Sequence, residues 1–152
     1  MDVNERLARA GHVLPAPAAP VGAYVPAART GNLVFTSGQI PLRGGEVMAT
    51  GFLGESVSEE LARECAIQCV LNALAAASTV CDLEDVVRVV KLTGYVASAP
   101  GFTAQPRVID AASELLVNVF GEEGRHAREA VGVAGLPIGV PVELSLVLEV
   151  RA

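Results

Sequence analysis

Tryptophan is absent from this 152-residue sequence, and only six aromatics occur: Tyr24, Phe35, Phe52, Tyr95, Phe102 and Phe120. A core must therefore be built from small aliphatic side chains, and no run of rings offers stacking platforms to single-stranded nucleic acid. Basic residues are also scarce, 11 against 17 acidic ones, giving a net charge of −6 and a pI near 4.9. That balance opposes binding to a phosphate backbone. The two histidines, His12 and His126, are far apart and lie near no cysteine pair at ligand spacing, which argues against a structural zinc site. Cys65, Cys69 and Cys81 are odd in number, and two of them sit four apart in an apolar helical pattern, so they read as core thiols. Apolar stretches such as Ala73–Ala77 fall far short of the roughly 18 residues needed to span a bilayer, so no membrane segment is expected. Residues 1–9 carry Asp2, Asn4, Glu5, Arg6 and Arg9 without the apolar stretch of a secretory signal. This predicts a mature chain beginning at Met1 and a cytoplasmic location. No phosphate loop, nucleophile elbow or dinucleotide fingerprint is present, so the expectation for cofactors is none.

What is abundant is apolar mass: 51% of residues are hydrophobic, 18% are charged, and mean hydropathy is +0.45. The length suits a single core, and grease in excess of one small core predicts an oligomer whose subunits bury part of it.

Residues 1–20 read as an N-terminal arm, a short helix followed by a connector interrupted by Pro15, Pro17 and Pro20, with the main domain at 21–152. Tyr24–Arg29 and Leu33–Ser37 predict a hairpin around Gly31-Asn32. Pro41–Gly54 is punctuated by glycine and predicts an irregular excursion with a short strand near Val47. Ser56 or Ser58, with Glu59 and Glu60 behind it, predicts the start of a long helix. Its stripe holds Leu61, Cys65, Cys69, Asn72 and Ala76. Val86–Val96, rich in β-branched residues, suits a central strand buried on both faces. A second helix carries Val108, Ala111, Ala112, Leu115, Leu116 and Val119 and ends at Gly121. Two strands follow, Arg128–Ala134 and Val140–Val150, the latter alternating cleanly from Val142 to Val150. The order β-β-α-β-α-β-β predicts an α+β sandwich, one mixed sheet with two helices on one face.

Two opposite charges stand out on the terminal strands, Arg128 and Glu143, which a hairpin-like turn could bring to the same end of the sheet. In one reading Arg128 pairs with Glu129 or Glu123 and Glu143 decorates a solvated face. In the other, Arg128 clamps a carboxylate with two parallel hydrogen bonds, with room left by Ala127, Ala130 and Gly132, and Glu143 handles a water molecule.

The segments Val21-Gly22-Ala23-Tyr24 and Gly31–Pro41 (GNLVFTSGQIP) resemble the N-terminal signature of the RidA/YjgF family, also called the endoribonuclease L-PSP family. Cys69–Leu74 resembles its Asn-bearing helix, and Val89–Thr93 its buried strand. Ala127-Arg128, Val131-Gly132-Val133, Leu136-Pro137 and Val142-Glu143-Leu144 are similar to its C-terminal motifs. The resemblance implies a chorismate-mutase-like subunit, a homotrimer with pockets between subunits, and no cofactor. It implies a deaminase-type hydrolase that converts 2-iminobutanoate or 2-iminopropanoate to a 2-oxo acid and ammonia. The carboxylate-binding arginine falls on Arg128, the water-positioning glutamate on Glu143, the pocket tyrosine on Tyr24, and the Ser-Gly backbone on Ser37 and Gly38. Ala127 and Ala130 would line the pocket. Departures cluster at its entrance: His126 stands where the family has Pro, Ala130 where it often has Cys, and Asp110 or Ser113 near where an Asn would fall. His126 is either an added acid-base or anion-binding group or a rim residue, and Tyr24 either pocket wall or packing. The partners expected are a small carboxylate-bearing imine or 2-oxo acid and further copies of the chain, with no membrane. A non-catalytic carboxylate-binding or regulatory protein is the competing function, with RNA cleavage disfavoured by the acidic charge.

Overall fold

Asp2 and Glu5 cap each other at the first helix. In the computed structural model, which describes residues 1–152, Asp2 Oδ1 accepts from the Glu5 N–H and Glu5 Oε2 from the Asp2 N–H, both at 2.8 Å. Helix α1 (Val3–Arg9) is too short to persist by itself. It is held by burial of Val3 and Leu7 in the common core, and Arg6 Nη1 donates to Val119 O at 3.1 Å.

Strands β1 (Ala27–Thr30) and β2 (Leu33–Thr36) form the expected hairpin, with Gly31 at φ +56°. The excursion that follows contains a second hairpin, β3 (Leu42–Arg43) and β4 (Glu46–Val47), turned by two glycines of positive φ. Of the two candidate starts for helix α2 (Glu59–Ala77), Ser58 is the one used: its hydroxyl accepts from the Leu61 N–H at 3.1 Å. Strand β5 (Val86–Ala97), helix α3 (Gln105–Phe120), and strands β6 (Ala127–Val133) and β7 (Val142–Val150) complete the chain. Gly121 ends α3 at φ +64°.

The five long strands make one mixed sheet ordered β1-β2-β7-β5-β6. Strand β6 runs parallel to β5 because helix α3 carries the chain back between them, and all other neighbours are antiparallel. This corrects the expectation that β6 and β7 form a hairpin: β5 lies between them. The connection Ala134–Pro141 crosses the end of β5, where the Ala97 N–H donates to Pro141 O at 2.9 Å.

Helices α2 and α3 pack on one face of the sheet, closing a core whose only fully aromatic member is Phe120. They come very close: a Cβ at Gly94 on β5 would stand 2.6 Å from Ile109 Cδ1 of α3. Val142, Leu144, Leu146, Leu148 and Val150 all face the helices and are buried. Strand β5 is central but, against expectation, buried on one face only. Val89, Leu92 and Val96 are covered by the helices, while Lys91, Thr93 and Tyr95 are half-buried on the face that no element covers. Leu33, Phe35 and Val131 also stand exposed, at 37%, 43% and 42%. No helix is long and apolar enough to cross a membrane.

Candidate functional site

A one-residue bulge prepares the first half of the candidate site. Phe35 pairs with Val147, yet Gln39 pairs with Leu144, so Thr36-Ser37-Gly38 spans the interval occupied by two residues on β7. The Thr36 hydroxyl accepts from the Leu146 N–H at 2.9 Å, replacing the ladder acceptor that the bulge removes. Ser37 ties the bulge to the preceding loop, its hydroxyl donating to Val25 O at 2.7 Å and its N–H to Pro26 O at 2.8 Å. Gly38 is left directly over Glu143: a Cβ there would lie 2.6 Å from Glu143 Oε2.

Glu143 is half-buried on the uncovered sheet face and belongs to no ion pair. Burial pushes its carboxyl above the ordinary glutamate range. Its cross-strand neighbour is Tyr95, which pairs in turn with Val131. Tyr24, 51% exposed, folds its ring back over Gly22 in the loop that Ser37 fastens.

The second half lies on the helix side of edge strand β6. Arg128 Nη1 donates to Asp110 Oδ1 at 2.7 Å and to Ser113 Oγ at 3.3 Å. No buried side-chain nitrogen or oxygen in the protein lacks a partner, so Nε and Nη2 of Arg128, which bond nothing, reach solvent. Those two nitrogens form a planar fork suited to a carboxylate. Ser113 also meets His126, with Oγ 2.9 Å from Nε2, while His126 Nδ1 lies 2.6 Å from Gly124 O. The expected partners of Arg128 are corrected here: Glu129 pairs instead with Lys91 at 2.9 Å, and Asp110 takes the arginine. Asp110 and Ser113 project together because they are three apart on α3. Two polar residues at that spacing beside an apolar stripe were the sequence signal for this network. Tyr95 had no such signal, since only register puts it beside Glu143.

Register also separates the two halves. Arg128 pairs with Leu92 and Glu143 with Tyr95, so the residues lie two strands and three rows apart, on opposite faces. Strand spacing and rise put their Cα atoms about 14 Å from each other. The single chain thus sets Gly38 against Glu143, links His126 to Arg128 through Ser113 and places Ala130 on the same face of β6 as Arg128, while Tyr24 stays in the loop that Ser37 fastens. Ala127 faces the other way from Arg128, beside Lys91. None of the clefts of about 700, 620 and 450 Å³ is lined by Arg128 or Glu143.

Asn72, Gln68, Cys65 and Cys69 of α2 lie buried beneath the sheet. Asn72 Nδ2 donates to Ile40 O and Leu42 O, both at 3.0 Å, and Gln68 Nε2 donates to Asn72 Oδ1 at 3.0 Å, pinning the loop after the bulge to α2. Burial pushes the Cys65 thiol up to about 11 and that of Cys69 well above the ordinary range, which leaves both unreactive at neutral pH.

Residues 4–149 match the model of the family described as "YjgF/chorismate_mutase-like, putative endoribonuclease". Protein TCP17 of Trypanosoma cruzi is 45% identical over 154 residues, covering 98% of this chain and 94% of that one. The crystal structure of Atu1372 from Agrobacterium tumefaciens, a protein of unknown function, is 41% identical. It covers 99% of this chain and 94% of its own, with a TM-score of 0.90. That of E. coli TdcF with bound serine is 26% identical, covers 90% and 94%, and has a TM-score of 0.59.

Proposed function

We propose, for a chain that belongs to the YjgF/chorismate-mutase-like family, the hydrolysis of small 2-imino acids to 2-oxo acids and ammonia at pockets between subunits of a homotrimer. The observation that carries this reading is the pair of complementary half-sites. A guanidinium with two free nitrogens and an unpaired, half-buried carboxylate stand on opposite faces of one sheet. One chain cannot close them on a small molecule. A second copy, packed on the uncovered sheet face with its exposed Leu33, Phe35 and Val131, can. The serine bound to TdcF is itself a small carboxylate-bearing molecule.

In this mechanism Arg128 of one subunit holds the substrate carboxylate through Nε and Nη2, while Asp110 and Ser113 fix the guanidinium from the Nη1 side. Glu143 of the next subunit takes a proton from water as its oxygen bonds to the imine carbon. The C=N π pair moves to nitrogen, which takes that proton back from Glu143; Glu143 then carries the carbinolamine hydroxyl proton to the same nitrogen, so that the carbonyl forms, the C–N bond breaks and ammonia leaves. The raised carboxyl of Glu143 suits a group that must both accept and return a proton. Tyr24, Ser37, Gly38 and Ala130 line the space, whereas Ala127, expected there from the sequence, lies on the other face of β6. A carboxylate-binding protein without turnover is the second reading, favoured by the charge that Asp110 already places against Arg128.

The test is release of 2-oxobutanoate from enzymatically generated 2-iminobutanoate. Arg128→Ala and Glu143→Ala are each expected to be inactive. After co-refolding, random assortment restores intact pockets to about one quarter of interfaces, and activity with them. No acceleration by the wild type, with carboxylate binding retained, selects the second reading. Absence of complementation, or a monomer in solution, overturns the intersubunit pocket.

A further inference from the structure

The cleft of about 620 Å³ lies between the N-terminal arm and the β3–β4 hairpin, with Gln68, Leu71 and Asn72 of α2 beneath it. Its size falls within the range of about 300–1,000 Å³ that small-molecule sites occupy. Its charge sets it apart. The cleft of about 700 Å³ places Arg6 and Arg9 against Glu122 and Glu123, and that of about 450 Å³ holds Asp2, Asp82 and Glu84. Here the only ionisable side chains are Arg43 and His12, in a chain of net charge −6.

Arg43 is oriented without being neutralised. Its Nε donates to Gln68 Oε1 at 3.2 Å, and Gln68 Nε2 donates in turn to Asn72 Oδ1 at 3.0 Å. Both amides are more than nine-tenths buried, at 6% and 7% exposure, so the guanidinium is tied to a fixed relay. Arg43 itself stands exposed and enters no ion pair, even with Glu46 opposite it in the hairpin. Its Nη1 and Nη2 bond nothing. A guanidinium held at Nε offers those two nitrogens side by side to one carboxylate, with part of the ordering cost already met.

The remaining lining is largely apolar. Leu71 is 4% exposed, and Leu42, Val13 and Pro15 extend the surface on both sides. Gly44 and Gly45 leave the hairpin end open, since a Cβ at either would meet nothing within 4 Å. One permanent positive charge matches a monoanion, and apolar walls beside it match an aliphatic tail.

We infer that this cleft is a second ligand site, for an aliphatic monocarboxylate. Arg43 grips the carboxylate through Nη1 and Nη2, and the tail lies along Leu71, Leu42 and the arm. Neither Arg128 nor Glu143 lines the cleft, so the inference stands apart from their chemistry.

Titration of the isotopically labelled full chain with octanoate, butanoate and inorganic phosphate, read as amide chemical shifts, tests this. Octanoate is expected to give saturating shifts at Gly11, Val13, Gly44 and Gly45. It should bind about tenfold more tightly than butanoate, the worth of four half-buried methylenes, and phosphate should give no such shifts. Arg43→Gln, a change at an exposed position, is expected to weaken octanoate about 10–100-fold. Val13→Glu, at a position 81% exposed, sets a like charge on the arm wall and is expected to weaken it about fivefold. Arg128→Gln should leave the shifts and the affinity at this cleft unchanged. Octanoate affinity that survives Arg43→Gln, shifts confined to the surroundings of Arg128, or butanoate or phosphate bound in the cleft as tightly as octanoate overturns the inference. So does the absence of saturating shifts up to about 10 mM octanoate. Each of these outcomes leaves the Arg128 reading to its own test.

Discussion

Gly38→Ala separates the chemistry of the site from the stability of the fold. Gly38 has no positive φ, so alanine fits its backbone, but the new Cβ would stand 2.6 Å from Glu143 Oε2, 3.0 Å from Cδ and 3.4 Å from Cγ. A real Cβ does not accept the first of these, so the carboxylate must retreat by about 1 Å to reach ordinary contact, a displacement that can cost on the order of 10²-fold in rate. The fold is touched lightly, since what moves is the end of a half-buried, flexible side chain. Replacing glycine at a compatible position restricts the unfolded chain and stabilises by about 0.4–1 kcal/mol. At about 2–4 °C per kcal/mol for a domain of this size, the melting temperature should stay level or rise by up to about 4 °C. The expected signature in the coupled 2-iminobutanoate assay and in calorimetry is thus a rate lowered about 100-fold with an unchanged or slightly higher Tm. The two effects must also share a cause: in a Glu143→Gln background, Gly38→Ala should add little further loss. Full activity in Gly38→Ala, or losses that multiply in the double variant, would refute the view that the bulge exists to seat Glu143.

Gly94→Ala should behave oppositely, because its Cβ would lie 2.6 Å from Cδ1 and 2.7 Å from Cγ1 of the fully buried Ile109. Overpacking of about 1–3 kcal/mol should lower Tm by about 2–12 °C, and Ile109→Val should recover part of it. Leu7→Ala removes a fully buried side chain and is expected to cost about 2–5 kcal/mol in urea titrations; no loss would mean that α1 is a detachable appendage. Burial raises the Glu143 carboxyl above its ordinary 4.5, so between that value and the raised one the native state holds a proton that the unfolded chain has released. Stability contributed by this group is complete below the window and falls as pH rises across it. Urea midpoints measured from about pH 4 to about pH 7 should show a slope that Glu143→Gln removes, and wild-type turnover should rise over the same window as the base form appears.

Much of the secondary structure was written in local chemistry. The acidic first turn and serine marked the start of α2, Gly121 the end of α3, and the strict alternation from Val142 to Val150 told which side of β7 is buried. Strand β5 reads as covered on both faces, and within the chain only one is, because a β-branched run looks the same whether its second face meets a helix or nothing within the chain. The hairpin expected of β6 and β7 failed for a related reason: a Gly-Leu-Pro-Ile-Gly turn says that the chain reverses, not which strand it reverses beside.

The sequence alone therefore determined the element types, the two-helix α+β architecture, the small-aliphatic core and the motifs that single out Arg128 and Glu143. Pairing across the sheet decided the rest. Whether two residues share a face depends on the parity of their registers against strand β5, a long-range quantity that no spacing along the chain encodes. That parity sent Arg128 toward Asp110, Ser113 and His126, and Glu143 toward Gly38 and Tyr95. It thereby put a suspected pair on opposite faces of one sheet.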